Sequence, residues 1–472
     1  MINYFLIFSF LAYLVLFSFK SYREVRSINA FSLGIRSIST YALGATITAT
    51  WVSGSGFMID LTEFYSRGLI HILESLGMCF ALTITALFII PRMERYLGKI
   101  SVASIMGEEY GQTVRVITAF CGCFTVSCGL YVQFKLMGKV LFYLLPFLSE
   151  PSCIFISSLI LIGYSFAGGI NAVVSTDKIQ AICFVISLLI GIVIMKLHII
   201  YNPSKVDLVS LGKHFYFNHL TTLDNETLLN SILLFLYFFL PGMSPHVVQR
   251  ISMGIHVNQV KKAYLWSSFW LGLVLIFSCY FSYLVFQYDP FITERDRILT
   301  KVLDIFSIDG TRAILVIGII SMCMSTADSN LNIASILVAN DTYKCNQLNP
   351  LDKLYFARYS TVGIGFLALL FCFKEGTFLE IFLFAQTFYM PIIPVPLLAA
   401  IFGYKTTERC CLVAMGITFS YICIYKFCLH PKFNIIPYAL ALNAVSLIIS
   451  HYVIEKWELL KCFGIKSKLK GK

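Results

Sequence analysis

The sequence predicts an all-α polytopic membrane protein of thirteen transmembrane helices, arranged as two inverted five-helix repeats with two broken helices. Three observations predict it. Hydrophobic types make up 58% of the 472 residues and charged types only 13%, with a mean hydropathy of +0.79. Soluble domains run at about 45–50% apolar and about 25% charged, so soluble and disordered chains are both excluded. Thirteen apolar runs follow one another, at approximately 2–19, 39–59, 67–91, 114–145, 152–169, 174–198, 228–248, 263–287, 311–338, 354–373, 379–402, 408–428 and 434–455. Runs of about 20 residues fit spanning helices, not the short alternating strands of a membrane barrel. Finally, the second and seventh runs are interrupted at mid-span.

The first run is read as a retained span. No basic residue precedes it, no small-residue cleavage site follows, and Lys20, Arg23 and Arg26 come next. In the second run, Ser53-Gly54-Ser55-Gly56 follows Trp51-Val52; such residues weaken a helix and free carbonyls, or let helices pack closely. The third and fourth runs carry the intramembrane polar groups Glu74, Gln133 and Lys135. These are candidates for the solute site, or Lys135 and Glu74 form a structural pair. In the seventh run, Pro241 and Pro245 remove two amide donors ahead of His246; a proline kink would do the same. The ninth run places Met322, Ser325 and Thr326 on one helix face. Their hydroxyls either bond back to the preceding turn or offer oxygens to a hard cation.

The two broken runs lie five spans apart, which is the sequence pointer to an inverted-repeat secondary transporter. One domain, 1–472, then divides into a peripheral span and loop (2–38), a first repeat (39–198), a second repeat (228–402), and peripheral spans with a basic tail (408–472). The net charge of +11 is a topology signal and not a nucleic-acid footprint. With the N-terminus outside, 23 of the 36 Lys and Arg fall on inside segments and 11 on outside segments. The C-terminal Lys466, Lys468, Lys470 and Lys472 form a solvated tail or a headgroup-binding cluster. The C-terminus is then cytoplasmic, and the composition favours a bacterial inner membrane. Most of the fifteen Cys lie in apolar runs as small buried hydrophobes; Cys121, Cys123 and Cys128 lack zinc-ligand spacing, and Cys410-Cys411 has no second pair. No phosphate-cradling Gly-Lys-Ser/Thr loop is present, so ATP is not expected as the energy source, and no enzymatic constellation stands out.

Four stretches together resemble the sodium:solute symporter family: Phe31 to Arg36, Ala49 to Gly54, Gly163 to Gln180 with its Tyr164, Gly168-Gly169 and Thr176-Asp177, and Ser325-Thr326 with Ala327-Asp328-Ser329. The resemblance implies a LeuT-type fold, a co-transported sodium ion, a small-molecule solute and a lipid bilayer as partners. It implies sodium ligands at the carbonyls of Ala49, Val52 and Met322 and the hydroxyls of Ser325 and Thr326. It assigns Arg36 and Asp177 to sodium coupling, with Asp177 alternatively a helix N-cap at an inside loop. Trp51, Ser53, Gly54, Glu74, Gln133, Tyr237, Pro241, Pro245 and His246 are the candidates for solute contact. The expected function is sodium-coupled import of an amino acid such as proline, or of an organic acid, by alternating access. A proton-coupled carrier titrating at Asp328 or Glu74 is the alternative. A non-transporting membrane sensor is another, though the tail after the last run is only about 17 residues long.

Overall fold

The computed structural model describes residues 2–22, 25–34, 36, 38–202, 212–220, 222–306, 310–342, 349–372, 378–429 and 434–469. These residues are helical almost throughout. Helices α1 (Ile2–Tyr22), α2 (Ile28–Leu33), α3 (Thr40–Trp51), α4 (Gly54–Arg67), α5 (Leu69–Ile84), α6 (Val102–Tyr110), α7 (Gln112–Leu144) and α8 (Glu150–Tyr201) form the first half. Then come α9 (Asn225–Phe239), α10 (Pro245–Ser252), α11 (Val257–Tyr288), α12 (Arg295–Ile305), α13 (Thr311–Asp341), α14 (Pro350–Phe371), α15 (Phe378–Thr387), α16 (Pro394–Ile401), α17 (Glu408–Ile424) and α18 (Ile436–Leu469). Lys470 and Lys472 of the basic tail, and Ile35 of the Phe31–Arg36 stretch, lie outside the described residues.

Among the described residues, seven helical segments are long and apolar enough to cross a membrane unaided: Leu69–Arg92, Gln112–Leu144, Glu150–Tyr201, Val257–Tyr288, Thr311–Asp341, Pro350–Phe371 and Ile436–Ile454. This is an integral membrane protein. The other apolar runs are short helices or helices cut by breaks. Lipid offers backbone groups no hydrogen bonds, so breaks persist only where protein or a cavity meets them.

Both expected interruptions are present. The second run divides into α3 and α4 at Val52–Ser53, where Ser53 Oγ accepts from Gly56 N at 2.8 Å and caps α4. The seventh divides into α9 and α10 across 240–244, and Pro245 opens α10, where its missing amide costs nothing. Two features differ from expectation. The eleventh run is not one helix: it is cut at 388–393 between α15 and α16, where Pro391 falls and Pro394 opens α16. The fifth and sixth runs join in one helix, α8, that bends at Gly169 (φ 59°, ψ −175°). At 52 residues it would measure about 78 Å straight, far beyond the roughly 30 Å hydrocarbon core, so the bend is required.

α13 is the axis of the bundle. It packs most extensively on α7 and α8, and from Gly318 through Leu337 every residue is buried. That burial includes Ser325, Asp328, Ser329, Asn330, Asn332 and Ser335. A helix carrying so many polar groups is stable there only because neighbouring helices supply partners.

Candidate functional site

The break in the second run meets α13 directly. Val52 N–H closes on Thr48 O, so from Ala49 onward the carbonyls leave the helical ladder. Gly54 is the point of closest approach: a Cβ there would lie 2.9 Å from the Cys323 amide nitrogen. Gly54 is therefore a packing residue against α13, and it stands back from the cavity described below.

Asp177 fastens this junction from α8. Ser325 Oγ donates to Asp177 Oδ1 at 2.6 Å, and Thr46 Oγ1 of α3 donates to Asp177 Oδ2. Asp177 lies within the body of α8 and is fully buried, so the N-cap alternative is overturned: its oxygens serve α3 and α13, not its own first turn. Arg250 of α10, 1% exposed, completes the group. Its Nη2 lies 3.8 Å from Asp177 Oδ2, 2.7 Å from Ser329 Oγ and 3.3 Å from Thr50 Oγ1.

Thr326 Oγ1 is buried without a hydrogen-bond partner, one residue beyond Ser325. A buried hydroxyl normally finds a partner, so this oxygen is available to a ligand. Met322 is buried one turn earlier on α13. Ala49 and Val52 thus lie where α3 ends against α13, and Met322, Ser325 and Thr326 lie on α13 beside the contacts that Gly54 and Asp177 make.

Asp328 is buried in the middle of α13 and accepts from Ser165 at 2.9 Å, with Tyr164 beside it. Arg36 lies apart from this group. It has a positive φ of 49° and its Nη2 donates to Gly254 O at 2.6 Å, joining the α2–α3 connection to the turn after α10.

Beside the junction lies a cavity of about 220 Å³. Val52 and Thr326 line it, so the α3–α13 junction and the cavity share a wall. Of the expected solute residues, Trp51, Ser53, Gln133, Tyr237, Pro245 and His246 line it as well. Gln133 grips the start of α4, donating to Ser55 Oγ at 2.6 Å and accepting from Ser55 N at 3.3 Å. Pro241 stands back, in the segment that ends α9.

Glu74 also stands back from the cavity. Its carboxylate accepts from Arg67 Nη1 at 2.9 Å and Nη2 at 2.5 Å, and faces His71 Nδ1 at 3.0 Å. The expected Glu74–Lys135 pair is corrected accordingly: Glu74 is paired by Arg67, seven residues back across the turn at Gly68, and by His71. His71 and Asp60 line the cavity instead, and sequence reasoning missed both, along with Thr46, Arg250 and Asn330. Gln386, in the interrupted eleventh run, is a further lining residue. Among the described residues, the thirteen Cys are free thiols, and no cluster of three or more His, Cys, Asp or Glu forms a metal site.

A bundle whose helices break beside a largely apolar cavity with a few polar groups in its wall fits a membrane transporter. The sodium:solute symporter family model matches residues 31–417, and the chain belongs to that family. It is 20% identical over 382 residues to the high-affinity proline transporter PutP of Bacillus subtilis, covering 77% of this chain and 79% of that one. It is 26% identical over 146 residues to the high-affinity choline transporter 1 of Drosophila melanogaster, covering 30% of this chain and 23% of that one. In fold it is similar to a Na+-coupled sialic acid symporter in a substrate-bound outward-open state, with TM-score 0.80 at 16% identity, over 96% of this chain and 97% of that one. It is also similar to Mhp1, a nucleobase-cation-symport-1 family transporter, with TM-score 0.56 at 13% identity, over 90% and 94% of the two chains.

Proposed function

We propose that the protein is a sodium-coupled symporter that imports a small organic solute by alternating access. Sodium occupies the junction of α3 and α13, ligated by the carbonyls of Ala49, Val52 and Met322 and the hydroxyls of Ser325 and Thr326. The solute occupies the adjoining cavity. The observation that carries this reading is the unpartnered, buried Thr326 oxygen facing the broken helix across the cavity wall. Sodium drawn there from outside ties α3 to α13 and favours the outward-open state. Solute then closes the outer gate, and the bundle rocks inward. Asp177 and Arg250 transmit ion binding to α10, whose first residues line the solute cavity.

Thirteen crossings accommodate the described helices when each broken pair counts once, α8 counts twice and the short α2, α6 and α12 are left out of the membrane. In this arrangement 39–198 and 228–402 are the inverted repeats, the N-terminus is outside, and the setting is a bacterial inner membrane. A proton-coupled carrier would instead place the titrating carboxylate at Asp328.

Purified protein screened against a solute panel by thermal stabilisation, with and without sodium, identifies the solute and its sodium linkage. Uptake of that solute in proteoliposomes then separates the couplings. A sodium gradient is expected to drive it, and a pH gradient alone is not. Replacing Ser325 and Thr326 together by Ala is expected to raise the half-saturating sodium concentration at least tenfold. Unchanged sodium dependence in that variant, or uptake driven by pH without sodium, overturns the reading.

A further inference from the structure

Two of the breaks lean on each other. Between α9 and α10, Met243 is fully buried and has a backbone φ of 40°. That is the left-handed region, which a residue other than glycine keeps only where its surroundings hold it there. The Met243 carbonyl precedes the first turn of α10 and accepts from the Tyr389 hydroxyl at 2.8 Å. A buried carbonyl at membrane depth needs such a partner, because lipid offers none.

Tyr389 is fully buried as well, and it shapes its own run. Its carbonyl accepts from Ile392 N at 3.1 Å and from Ile393 N at 3.0 Å, in the turn that separates α15 from α16. One residue thus turns the eleventh run and, through its side chain, holds the break in the seventh. The packing around the bond is close. A Cβ on Gly242 would lie 2.6 Å from Met390 Sδ. A Cβ on Gly122 of α7 would lie 3.2 Å from Pro245 Cγ and 3.7 Å from the Tyr389 ring. Thr125 of α7 donates to Ala385 O at 2.9 Å and anchors the end of α15 nearby. The two breaks also form part of the cavity wall. Gly242, Ser244, Pro245 and His246 line it from the seventh run, and Gln386 and Met390 line it from the eleventh. Tyr389 stands behind that wall.

We propose that Tyr389 is a positioning residue for the solute site. Its hydroxyl holds the α9–α10 break in its left-handed shape, sets where Ser244 to His246 stand, and makes the two breaks move as one wall. This rests on the symporter reading for its identification of the cavity as the solute site.

Hydrogen exchange read by mass spectrometry on the full chain in detergent tests it without a solute. Tyr389→Phe keeps the ring and removes the hydroxyl. Exchange across 236–252 is expected to quicken at least tenfold in that variant, and exchange across 386–394 at least threefold. The α3–α4 break, 48–56, is expected to keep its wild-type rate. Unchanged exchange at 236–252 overturns the proposal. An equal rise at 48–56 also overturns it, because that reports a general loosening. If Tyr389→Phe does not fold, Gly242→Ala decides. Its methyl crowds Met390, and the same two segments are expected to quicken together; a rise in neither, or in 236–252 alone, overturns the coupling. For the solute that the stabilisation panel identifies, Tyr389→Phe is expected to raise KM for uptake at least tenfold with kcat within threefold. An unchanged KM overturns the positioning role. If the panel yields no solute, the exchange result decides. Failure of sodium alone to stabilise the wild-type chain strikes the sodium-coupled reading and leaves the exchange comparison intact.

Discussion

Arg250 and Asp177 are a fully buried ion pair, and each is stabilised by neighbours as well as by the other. Asp177 accepts from Thr46 and Ser325, and Arg250 donates to Ser329 and Thr50. Removing one charge leaves the other unpaired in a low-dielectric interior, which costs about 3–5 kcal/mol. Asp177→Asn alone is therefore expected to lower unfolding stability by about that amount. The double change Asp177→Asn with Arg250→Gln removes both charges and is expected to recover at least half of the loss. Thermal or denaturant unfolding in detergent measures the cycle. Additive losses would mean that the two side chains do not act as a pair, and the route from the cation junction to α10 would lose its basis.

Breaks and bends are what distinguish one helix here from another, and glycine positions on α8 separate two meanings. Gly163 and Gly169 lie six residues apart on that helix. A Cβ at Gly163 meets nothing within 4 Å, whereas Gly169 has φ +59° and a Cβ there would lie 3.0 Å from the Phe31 ring. Gly163→Ala is expected to stabilise by up to about 1 kcal/mol through helix propensity. Gly169→Ala is expected to destabilise by about 1–3 kcal/mol through its left-handed backbone. Two neutral outcomes would refute the assignment of the bend to Gly169. The same contrast shows what a linear reading can reach. Ser53-Gly54-Ser55-Gly56 and the Pro241/Pro245 pair announce their breaks by residue type, and both breaks are found in place. The break at 388–393 escaped although Pro391, Pro394 and Pro396 mark it, because the hydropathy of that run never falls. Asp60 escaped for another reason. A span of about 20 residues closes the second run at 59, while α4 in fact continues to Arg67 and turns at Gly68 (φ 63°) into α5. Only that turn brings His71 against Asp60, eleven residues away. Asp177 is marked as important by its motif, but nothing in the spacing of Thr46, Ser325 and Arg250, on three other helices, connects them to it.

For the whole molecule, the quantity that matters is how much charge crosses the membrane in each cycle. A tenfold sodium gradient supplies about 1.4 kcal/mol, and one elementary charge crossing 100 mV supplies about 2.3 kcal/mol. One sodium moving with a neutral or zwitterionic solute can thus sustain a gradient of a few hundredfold, without ATP. The same arithmetic gives tenfold accumulation for each 60 mV or so of added potential when one net charge moves. A solute carrying its own net positive charge brings the count to two, and the interval falls to about 30 mV. Once the solute is known, its steady-state accumulation in proteoliposomes, clamped at a series of potassium diffusion potentials, reads this slope directly. A slope near 60 mV per decade is expected for a zwitterion and near 30 mV for a permanent cation, in each case displaced by the sodium ratio across the membrane. Accumulation that ignores the potential would mean that no net charge crosses with the solute. For a neutral, zwitterionic or cationic solute, sodium in the α3–α13 junction could not then be the ion that drives import.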